Sequence, residues 1–291
     1  MNLSDKIKKQ VELASGESII SAHPAGGGCI SEAFTINTKS GRSLLLKTNS
    51  SVPPDMFMKE ANGLTELNKA KAIRIPEVIA VDSSFILIEF ISSSGKSKHF
   101  FEDFGRKFAL LHRYSDKSFG FYEDNYIGST PQINVANDED GKDWIKFYFT
   151  KRILYQYNLA EKNDFATPEL TSGISKIEDV IGQILSGVDE KPSLLHGDLW
   201  SGNYIADETG NACLIDPAVY YGNREADLAM TKLFGGFAPE FYSSYNEYFP
   251  LAEGYEYREN IYKLYHVMNH LNLFGRAYYP QTLALINYYL R

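Results

Sequence analysis

The sequence predicts an α+β protein with a small, antiparallel β-sheet lobe containing one helix, followed by a larger, mostly helical lobe. Short apolar runs separated by turn residues fill the first third of the chain. Apolar residues at three- and four-residue steps dominate after residue 100. Between these patterns lies a run of Ser and Gly, Ser92 to Gly95. We therefore expect an N-terminal lobe at residues 1–92 and a C-terminal lobe at 93–291.

Hairpin spacing and one helical stretch define the N-terminal lobe. Gly41 predicts a turn between two apolar strands. Phe57, Ala61, Leu64 and Leu67 follow helical steps. The predicted elements are strands at 17–23, 30–38 and 42–48, a helix at 55–72, and strands at 77–81 and 85–90.

Helical periodicity dominates the C-terminal lobe. Thr167 followed by Pro168 predicts a helix start, because Thr caps the first turn and Pro fits its first position. The predicted elements are a helix ending near 113, a loop at 114–142, a helix at 144–160, a helix from 168, strands at 204–205 and 212–215, and helices from 226 with breaks at 235–236, 250 and 280.

Composition excludes several classes of protein. The 291 residues include 29 Lys plus Arg and 37 Asp plus Glu, a net charge of −8, which argues against nucleic-acid binding. No apolar run approaches the ~18 residues of a membrane span, so we expect no membrane partner. With two cysteines and no secretory leader pattern, we expect a reducing, cytoplasmic location. Oligomeric state is left open.

Three polar residues near one predicted hairpin suggest phosphoryl transfer. Asp198 and Asn203 lie in the run His-Gly-Asp-Leu-Trp-Ser-Gly-Asn, and Asp216 follows 18 residues after Asp198. Phosphoryl transfer needs one carboxylate near the attacking hydroxyl, and a carboxylate plus an amide oxygen suit Mg²⁺. The alternative is a pair of loop aspartates that bond to their own backbone.

A second group lies upstream. A glycine triplet precedes a strand that ends at Lys47, and Glu60 follows on the predicted helix. In kinases such a loop covers nucleotide phosphates, the lysine contacts them and the glutamate holds the lysine. The triplet consists of Gly26, Gly27 and Gly28. Without the other motifs, a glycine triplet is more typical of an ordinary turn.

These motifs resemble the fructosamine kinase (ketosamine 3-kinase) family, within the aminoglycoside phosphotransferase and choline kinase group. The resemblance rests on the runs at 196–203, 215–222 and 224–230, with shorter matches at 28–31, 119–121, 125–128 and 130–134. It spans about residues 17 to 276. Trp200 before Ser-Gly-Asn, and the Asp-Pro-Ala that begins at Asp216, favour the fructosamine kinases within the group.

The resemblance implies a protein kinase-like fold and an ATP- and Mg²⁺-dependent kinase that phosphorylates a sugar hydroxyl of a ketoamine, free or protein-bound. It implies that Asp198 is the catalytic base and that Asn203 and Asp216 bind Mg²⁺. Lys47 and Glu60 would form the phosphate-side ion pair. Asp227 would brace the catalytic loop, and Glu89, Phe90 and Ile91 would face adenine. Apart from the resemblance, we expect His196 to hold the catalytic loop, with a metal ligand as the alternative.

The substrate side is least defined. A ketoamine carries a basic amine, and Trp200, Tyr220 and Tyr221 are candidates to line its path. For these aromatic residues the alternative is packing. Two alternative functions stay open: an aminoglycoside-, choline- or homoserine-type kinase, or a nucleotide-binding pseudokinase. The intact set of Lys47 and the Asp-Asn-Asp residues argues against the pseudokinase.

Overall fold

The structure is a computed structural model that describes residues 3–25, 32–49, 51–187 and 191–290. The chain divides into two compact units. The first comprises Met1–Phe100 and Asn203–Pro217, and the second comprises Phe101–Gly202 and Ala218–Arg291. The first unit thus adds a later hairpin to the predicted N-terminal lobe. The assignment of nucleotide binding to 1–92 and of catalysis to 93–291 stays a prediction.

The described elements follow one another in this order. The first part contains α1 (Asp5–Ser15), β1 (Ile19–Ala25), β2 (Glu32–Thr38), β3 (Ser43–Thr48), α2 (Met56–Lys69), β4 (Val78–Asp82), β5 (Phe85–Glu89), α3 (Phe100–His112), β6 (Asn125–Ile127), β7 (Thr130–Gln132), a 3₁₀ turn (Asp140–Lys142) and α4 (Trp144–Tyr148). The rest contains a π-helical segment (Phe149–Leu154), α5 (Tyr155–Lys162), α6 (Pro168–Ile184), β8 (Ser193–Leu195), β9 (Tyr204–Ala206), β10 (Ala212–Leu214), β11 (Tyr220–Gly222), α7 (Glu225–Thr231), a 3₁₀ turn (Leu233–Gly235), α8 (Pro239–Tyr248), α9 (Tyr255–Phe274), a 3₁₀ turn (Arg276–Tyr278) and α10 (Tyr279–Tyr289).

The first unit is built on a five-stranded sheet of order β1-β2-β3-β5-β4, in which every neighbouring pair is antiparallel. Phe34 pairs with Leu46, which pairs with Leu87, so alternate apolar residues share one face. All three are buried, and Val11 of α1 packs into the same cluster. The five predicted strands are confirmed within the described residues, with ends shifted by at most two residues. Residues 30 and 31, the predicted start of the second strand, lie outside the described residues.

Helix α1 was not predicted. Ser4 caps it, since its hydroxyl accepts a hydrogen bond from Ile7 N at 3.3 Å. Only Val11 of the helix is buried. Leu3, Ile7 and Val11 recur at four-residue steps, and Leu3 and Ile7 pack, partly buried, against the same cluster as Val11. The helix therefore leaves a short periodic signal in the sequence, which was overlooked.

The second unit packs around α9, which contacts α5, α7 and α10. Its Ile261, Leu264 and Val267 are fully buried. The predicted start of α6 is confirmed: Thr167 Oγ1 accepts a hydrogen bond from Leu170 N at 3.2 Å, and Pro168 lies in the first turn. None of the helices in the described ranges is long and apolar enough to cross a membrane.

Two predictions for this unit need correction. The predicted loop 114–142 contains the hairpin of β6 and β7 and a 3₁₀ turn. Pro280 does not break a helix but lies in the first turn of α10, where its missing N–H costs nothing. Gly275, with φ of +89°, follows the end of α9.

Candidate active site

Strand β3 and helix α2 bring Lys47 and Glu60 together in the first unit. Lys47 Nζ lies 2.7 Å from Glu60 Oε1. The same ammonium contacts the carboxylate of Asp216. Glu66, one and a half turns farther along α2, pairs instead with Lys69 at 2.8 Å. The structure thus joins three of the residues singled out in the sequence.

Opposing effects act on the ionisation of Lys47. Burial of the ammonium favours its neutral form and would lower the pKa. The adjacent carboxylates of Glu60 and Asp216 outweigh burial, so the pKa of Lys47 is raised above its ordinary value. Lys47 therefore carries a full positive charge at neutral pH.

The hairpin of β9 and β10 presents Asn203 and Asp216 at its open end. Ile215 N donates to Asn203 O at 3.1 Å, which ties the two ends together. Asn203 is buried, whereas the Asp216 side chain is 41% exposed. Asp216 has φ of +54°, a left-handed conformation that Asp and Asn tolerate better than most residues.

The donor set at this hairpin fits Mg²⁺. A carboxylate and an amide supply hard oxygen ligands, and Mg²⁺ in phosphate sites commonly uses one or two carboxylates plus substrate phosphates. Within the described ranges, no group of three or more His, Cys, Asp or Glu side chains could hold a metal ion.

Asp227 holds the loop that carries Asp198, in the second unit. Its Oδ2 accepts a hydrogen bond from His196 N at 2.6 Å, and its Oδ1 accepts one from Gly197 N at 2.8 Å. His112 Nε2 lies 3.3 Å from Oδ2. Burial raises the pKa of Asp227, but these polar partners outweigh burial and lower it below its ordinary value. Asp227 is therefore an ionised, buried anchor.

Asp198 itself follows this anchored turn. Its backbone N–H donates to His196 Nδ1 at 3.3 Å, so the imidazole lies inside the turn. His196 is fully buried, whereas Asp198 is partly exposed. The Asp198 carboxylate is thus partly exposed, while Asp227 holds the backbone that precedes it by two hydrogen bonds.

The end of β5 is held by the segment before β4 and by Arg74. Glu89 N donates to Glu77 O at 2.8 Å, which extends the pairing of β4 with β5. The Glu89 carboxylate accepts a hydrogen bond from Arg74 Nη2 at 2.7 Å. Ile91 is buried and Phe90 is partly buried.

The predicted aromatic residues have different surroundings. Trp200 is 36% exposed, and its ring meets Phe234 edge-on, with ring centroids 6.2 Å apart. Tyr220 and Tyr221 are buried on β11, and the Arg152 guanidinium lies 4.1 Å from the Tyr220 ring centroid. Of the three, Trp200 alone offers its ring to solvent.

Several supporting residues were missed. Gln132 Nε2 and Asn125 Nδ2 donate to the carbonyls of Ala218 and Val219, at 2.9 and 2.8 Å. They thereby hold the segment that follows Asp216-Pro217 in the sequence. Phe234 was also missed, although its neighbouring glycines mark a turn. Asn125 and Gln132 lie in the family-like runs 125–128 and 130–134, but a polar side chain that bonds to a distant backbone carbonyl leaves no periodic signal, so their partners were not predicted.

The glycine triplet Gly26, Gly27 and Gly28 lies outside the described residues, so its role stays a prediction.

Each unit carries residue types that kinases use, and comparison with known proteins assigns the family. The family model for fructosamine kinase matches residues 3–291. The chain belongs to the fructosamine kinase family. A chloroplastic protein-ribulosamine 3-kinase from Oryza sativa subsp. indica is 42% identical over 273 residues, which cover 91% of this chain and 78% of that protein.

Solved structures agree. A crystal structure from Thermobifida fusca, assigned to the fructosamine-3-kinases, superposes with a TM-score of 0.90 at 29% identity and covers 99% of this chain and 100% of that one. The streptomycin–ATP complex of the phosphotransferase APH(2″)-IIa has a TM-score of 0.65 at 16% identity, with 99% and 97% coverage. The predicted protein kinase-like fold and the family resemblance are confirmed. This fructosamine kinase family member is an ATP-dependent phosphotransferase.

Proposed function

We propose that this protein transfers the γ-phosphoryl group of ATP to a sugar hydroxyl of a ketoamine, free or attached to a protein. The observation that carries the proposal is the Lys47–Glu60 pair beside Asp216 in the first unit. This combination of a charged lysine, its glutamate partner and a metal-type aspartate is what phosphoryl transfer from a nucleotide requires. The name of the rice relative supports a ketoamine as acceptor.

The nucleotide would bind to the first unit. Lys47 is positioned to contact phosphate oxygens, and Glu60 fixes the direction of its side chain. The backbone of residues 89–91 would offer hydrogen bonds to adenine, and the glycine triplet at 26–28 would cover the phosphates. The raised pKa of Lys47 keeps the charge that anionic phosphates need.

Asn203 and Asp216 would hold Mg²⁺. Mg²⁺ held there would supply positive charge that stabilises the negative charge developing on the phosphoryl group during transfer. The Asp216 carboxylate already forms an ion pair with the Lys47 ammonium. The proposed Mg²⁺ would be a second cation beside the same carboxylate, and the nucleotide phosphates would contact both cations.

Asp198 would accept the proton of the attacking hydroxyl. The hydroxyl oxygen forms a bond to the γ-phosphorus, the bond to the leaving ADP oxygen breaks, and the hydroxyl proton passes to the carboxylate. Two backbone hydrogen bonds to Asp227 limit the motion of the loop before Asp198. Such preorganisation lets the base meet the hydroxyl without rearranging the loop.

The acceptor would carry a protonated amine. Trp200 and Phe234 offer exposed aromatic rings in the second unit, and an aromatic face attracts a cation. The net charge of −8 favours the approach of a cationic substrate. Tyr220 and Tyr221, which are buried, would support the site by packing.

ADP release measured with an acceptor panel tests the proposal. The panel contains fructosyl-lysine, ribulosyl-lysine, the free ketoses, choline and an aminoglycoside, each with Mg²⁺ and with EDTA. We expect the enzyme to phosphorylate a ketoamine in the presence of Mg²⁺ but not in EDTA. The kcat/KM for the ketoamine should be much higher than that for the matching free ketose. Equal kcat/KM for ketose and ketoamine would overturn the ketoamine assignment. Preference for choline or the aminoglycoside would move the protein to that kinase class, and ATP binding without turnover would indicate a pseudokinase.

A further inference from the structure

The guanidinium of Arg74 joins two separate segments of the first unit. Its Nη2 donates to Glu89 Oε1 at 2.7 Å, at the end of β5. Its Nη1 donates to Glu208 Oε1 at 2.6 Å and to Asp207 Oδ2 at 3.2 Å, in the turn between β9 and β10. One side chain therefore bridges the strand end expected to face adenine and the hairpin that carries the candidate metal ligands.

The main chain of Arg74 contacts the same hairpin. Leu214 N donates to Arg74 O at 3.0 Å, and Arg74 forms a parallel bridge with Cys213. Leu214 precedes Asp216 by two residues. Any displacement of Arg74 relative to β10 would thus move the segment that leads to Asp216.

The hairpin turn is ordered so that one carboxylate oxygen faces Arg74. Asp207 Oδ1 accepts hydrogen bonds from Thr209 N at 2.9 Å and from Asn211 N at 3.0 Å. Its Oδ2 is thereby directed to Arg74. Burial raises the pKa of Asp207, but the hydrogen bonds outweigh burial and lower it to about 2. The turn therefore presents a permanent negative charge to the guanidinium.

The partners of Arg74 differ in exposure. The Glu208 side chain is 51% exposed, and such an exposed ion pair contributes little to folding, whereas the Asp207 side chain is 6% exposed and its pair with Arg74 also stabilises the hairpin. The geometry is that of a guanidinium fork, whose fixed donors reach acceptors on two sides at once. A lysine keeps the charge but lacks that fork.

We propose that Arg74 is a positioning residue that fixes the β9–β10 hairpin against the end of β5 and so sets the affinity for magnesium–nucleotide. It acts through Asp216 and Asn203 and touches neither ligand. The proposal rests on the proposed function, since it assumes that this hairpin holds Mg²⁺.

Nucleotide titrations without any acceptor test this role. The dissociation constant of ATP is measured calorimetrically with Mg²⁺ and with EDTA, for the wild type, Arg74→Ala, Arg74→Lys and Arg42→Ala. Arg42 is the matched control, an arginine of the same unit in the turn before β3, whose carboxylate contacts, to Glu17 and Glu77, are at 3.6 Å. Thermal unfolding of each variant reports folding.

We expect Arg74→Ala to weaken magnesium–ATP binding about tenfold, which corresponds to ~1.4 kcal/mol, and to change metal-free ATP binding much less. Arg74→Lys should recover only part of the loss because it cannot bridge both sides. Arg42→Ala should match the wild type. The KM for a ketoamine should stay unchanged in Arg74→Ala, whereas the KM for ATP rises.

Three outcomes would overturn the inference. Wild-type magnesium dependence in Arg74→Ala would remove the positioning role and leave the proposed function intact. If Arg74→Ala binds ATP equally more weakly with and without Mg²⁺, and its melting temperature is lower, Arg74 is a general structural residue. ATP binding by the wild type that ignores Mg²⁺ would overturn the metal assignment itself, and this inference with it.

Discussion

Asp227 accepts a hydrogen bond from the backbone N–H of Gly197 at 2.8 Å, and Gly197 can make it because its φ is +83°. A Cβ at Gly197 would lie 1.9 Å from the carbonyl oxygen of Ala218. Both the conformation and the space at this position therefore require glycine. The loop that carries Asp198 thus depends on a residue with no side chain.

Replacing Gly197 with alanine should unfold or distort this loop. The left-handed backbone and the backbone clash together should cost about 3 kcal/mol or more, seen as a lower free energy of unfolding in urea. Gly182→Ala is the matched control, because Gly182 is exposed on α6 with no atom within 4 Å of an added Cβ. That control should stabilise the protein by about 0.5–1 kcal/mol. Wild-type stability in Gly197→Ala would contradict the described contact.

Asp198→Asn should nearly abolish turnover and keep nucleotide binding. A positioned base contributes roughly 10²–10⁴-fold to rate, and the amide cannot accept the hydroxyl proton. Single-turnover kinetics and ATP titration separate the two effects. Asp179→Asn, an exposed aspartate of α6, should leave both unchanged. Lost ATP affinity with turnover preserved would assign Asp198 to nucleotide binding instead.

Asp216→Asn should remove most of the magnesium dependence of ATP binding. Asn tolerates the left-handed backbone at this position, so the substitution removes the charge without adding strain. ATP affinities with Mg²⁺ and with EDTA should then converge. Asp82→Asn, at the exposed end of β4, is the control and should keep the wild-type difference. A full magnesium response in Asp216→Asn would exclude its carboxylate as a metal ligand.

The sheet, its helix and the parts of the site were predictable because each leaves a local signal. Lys47 ends an apolar strand, and Glu60 lies on the helix face that points to it. Arg74 and Phe234 leave no such signal. In the sequence Arg74 is a single charged residue shortly before Pro76. Its contacts are with a hairpin residue, Asp207, that lies 133 residues later. Tertiary contacts of this kind cannot be read from periodicity.

The aromatic candidates illustrate the same limit. Trp200, Tyr220 and Tyr221 look alike in the sequence, yet two of them lie in the interior. Burial of Tyr220 follows from pairing of β11 with β8, whose strands are three residues long. Strands this short give too few alternating residues to predict a buried face.

Trp200→Ala should narrow the preference for a ketoamine over its free ketose. If the ring contacts the protonated amine, its loss removes ~0.5–2 kcal/mol, or about 2- to 30-fold in the ratio of kcat/KM values. Tyr122→Ala is the control, because Tyr122 is a 66% exposed aromatic of the same unit. An equal loss of kcat/KM for both acceptors would instead indicate that Trp200 supports the loop.

His266 should make folding stability fall as the pH is lowered from 6.5. His266 is buried on α9, and its Nδ1 has no hydrogen-bond partner within the described residues. Burial lowers its pKa to about 3, helped by the positive charge that His270 and Arg152 contribute and opposed by Asp227. Between pH 6.5 and 3 the unfolded chain binds a proton that the folded protein excludes. Stability therefore rises with pH across this window, by about 1.4 kcal/mol per unit.

His266→Phe tests this contribution, since Phe fills the space without titrating. Between pH 7 and pH 5 the wild type should lose about 2 kcal/mol more than the variant, measured as the free energy of unfolding in urea. At pH 8 His266 is neutral in both the folded and the unfolded protein. The difference in unfolding free energy between wild type and variant at that pH therefore reports packing alone and serves as the internal reference. Parallel pH profiles for the two proteins would mean that His266 is protonated in the folded state or reaches water, and would contradict its burial on α9.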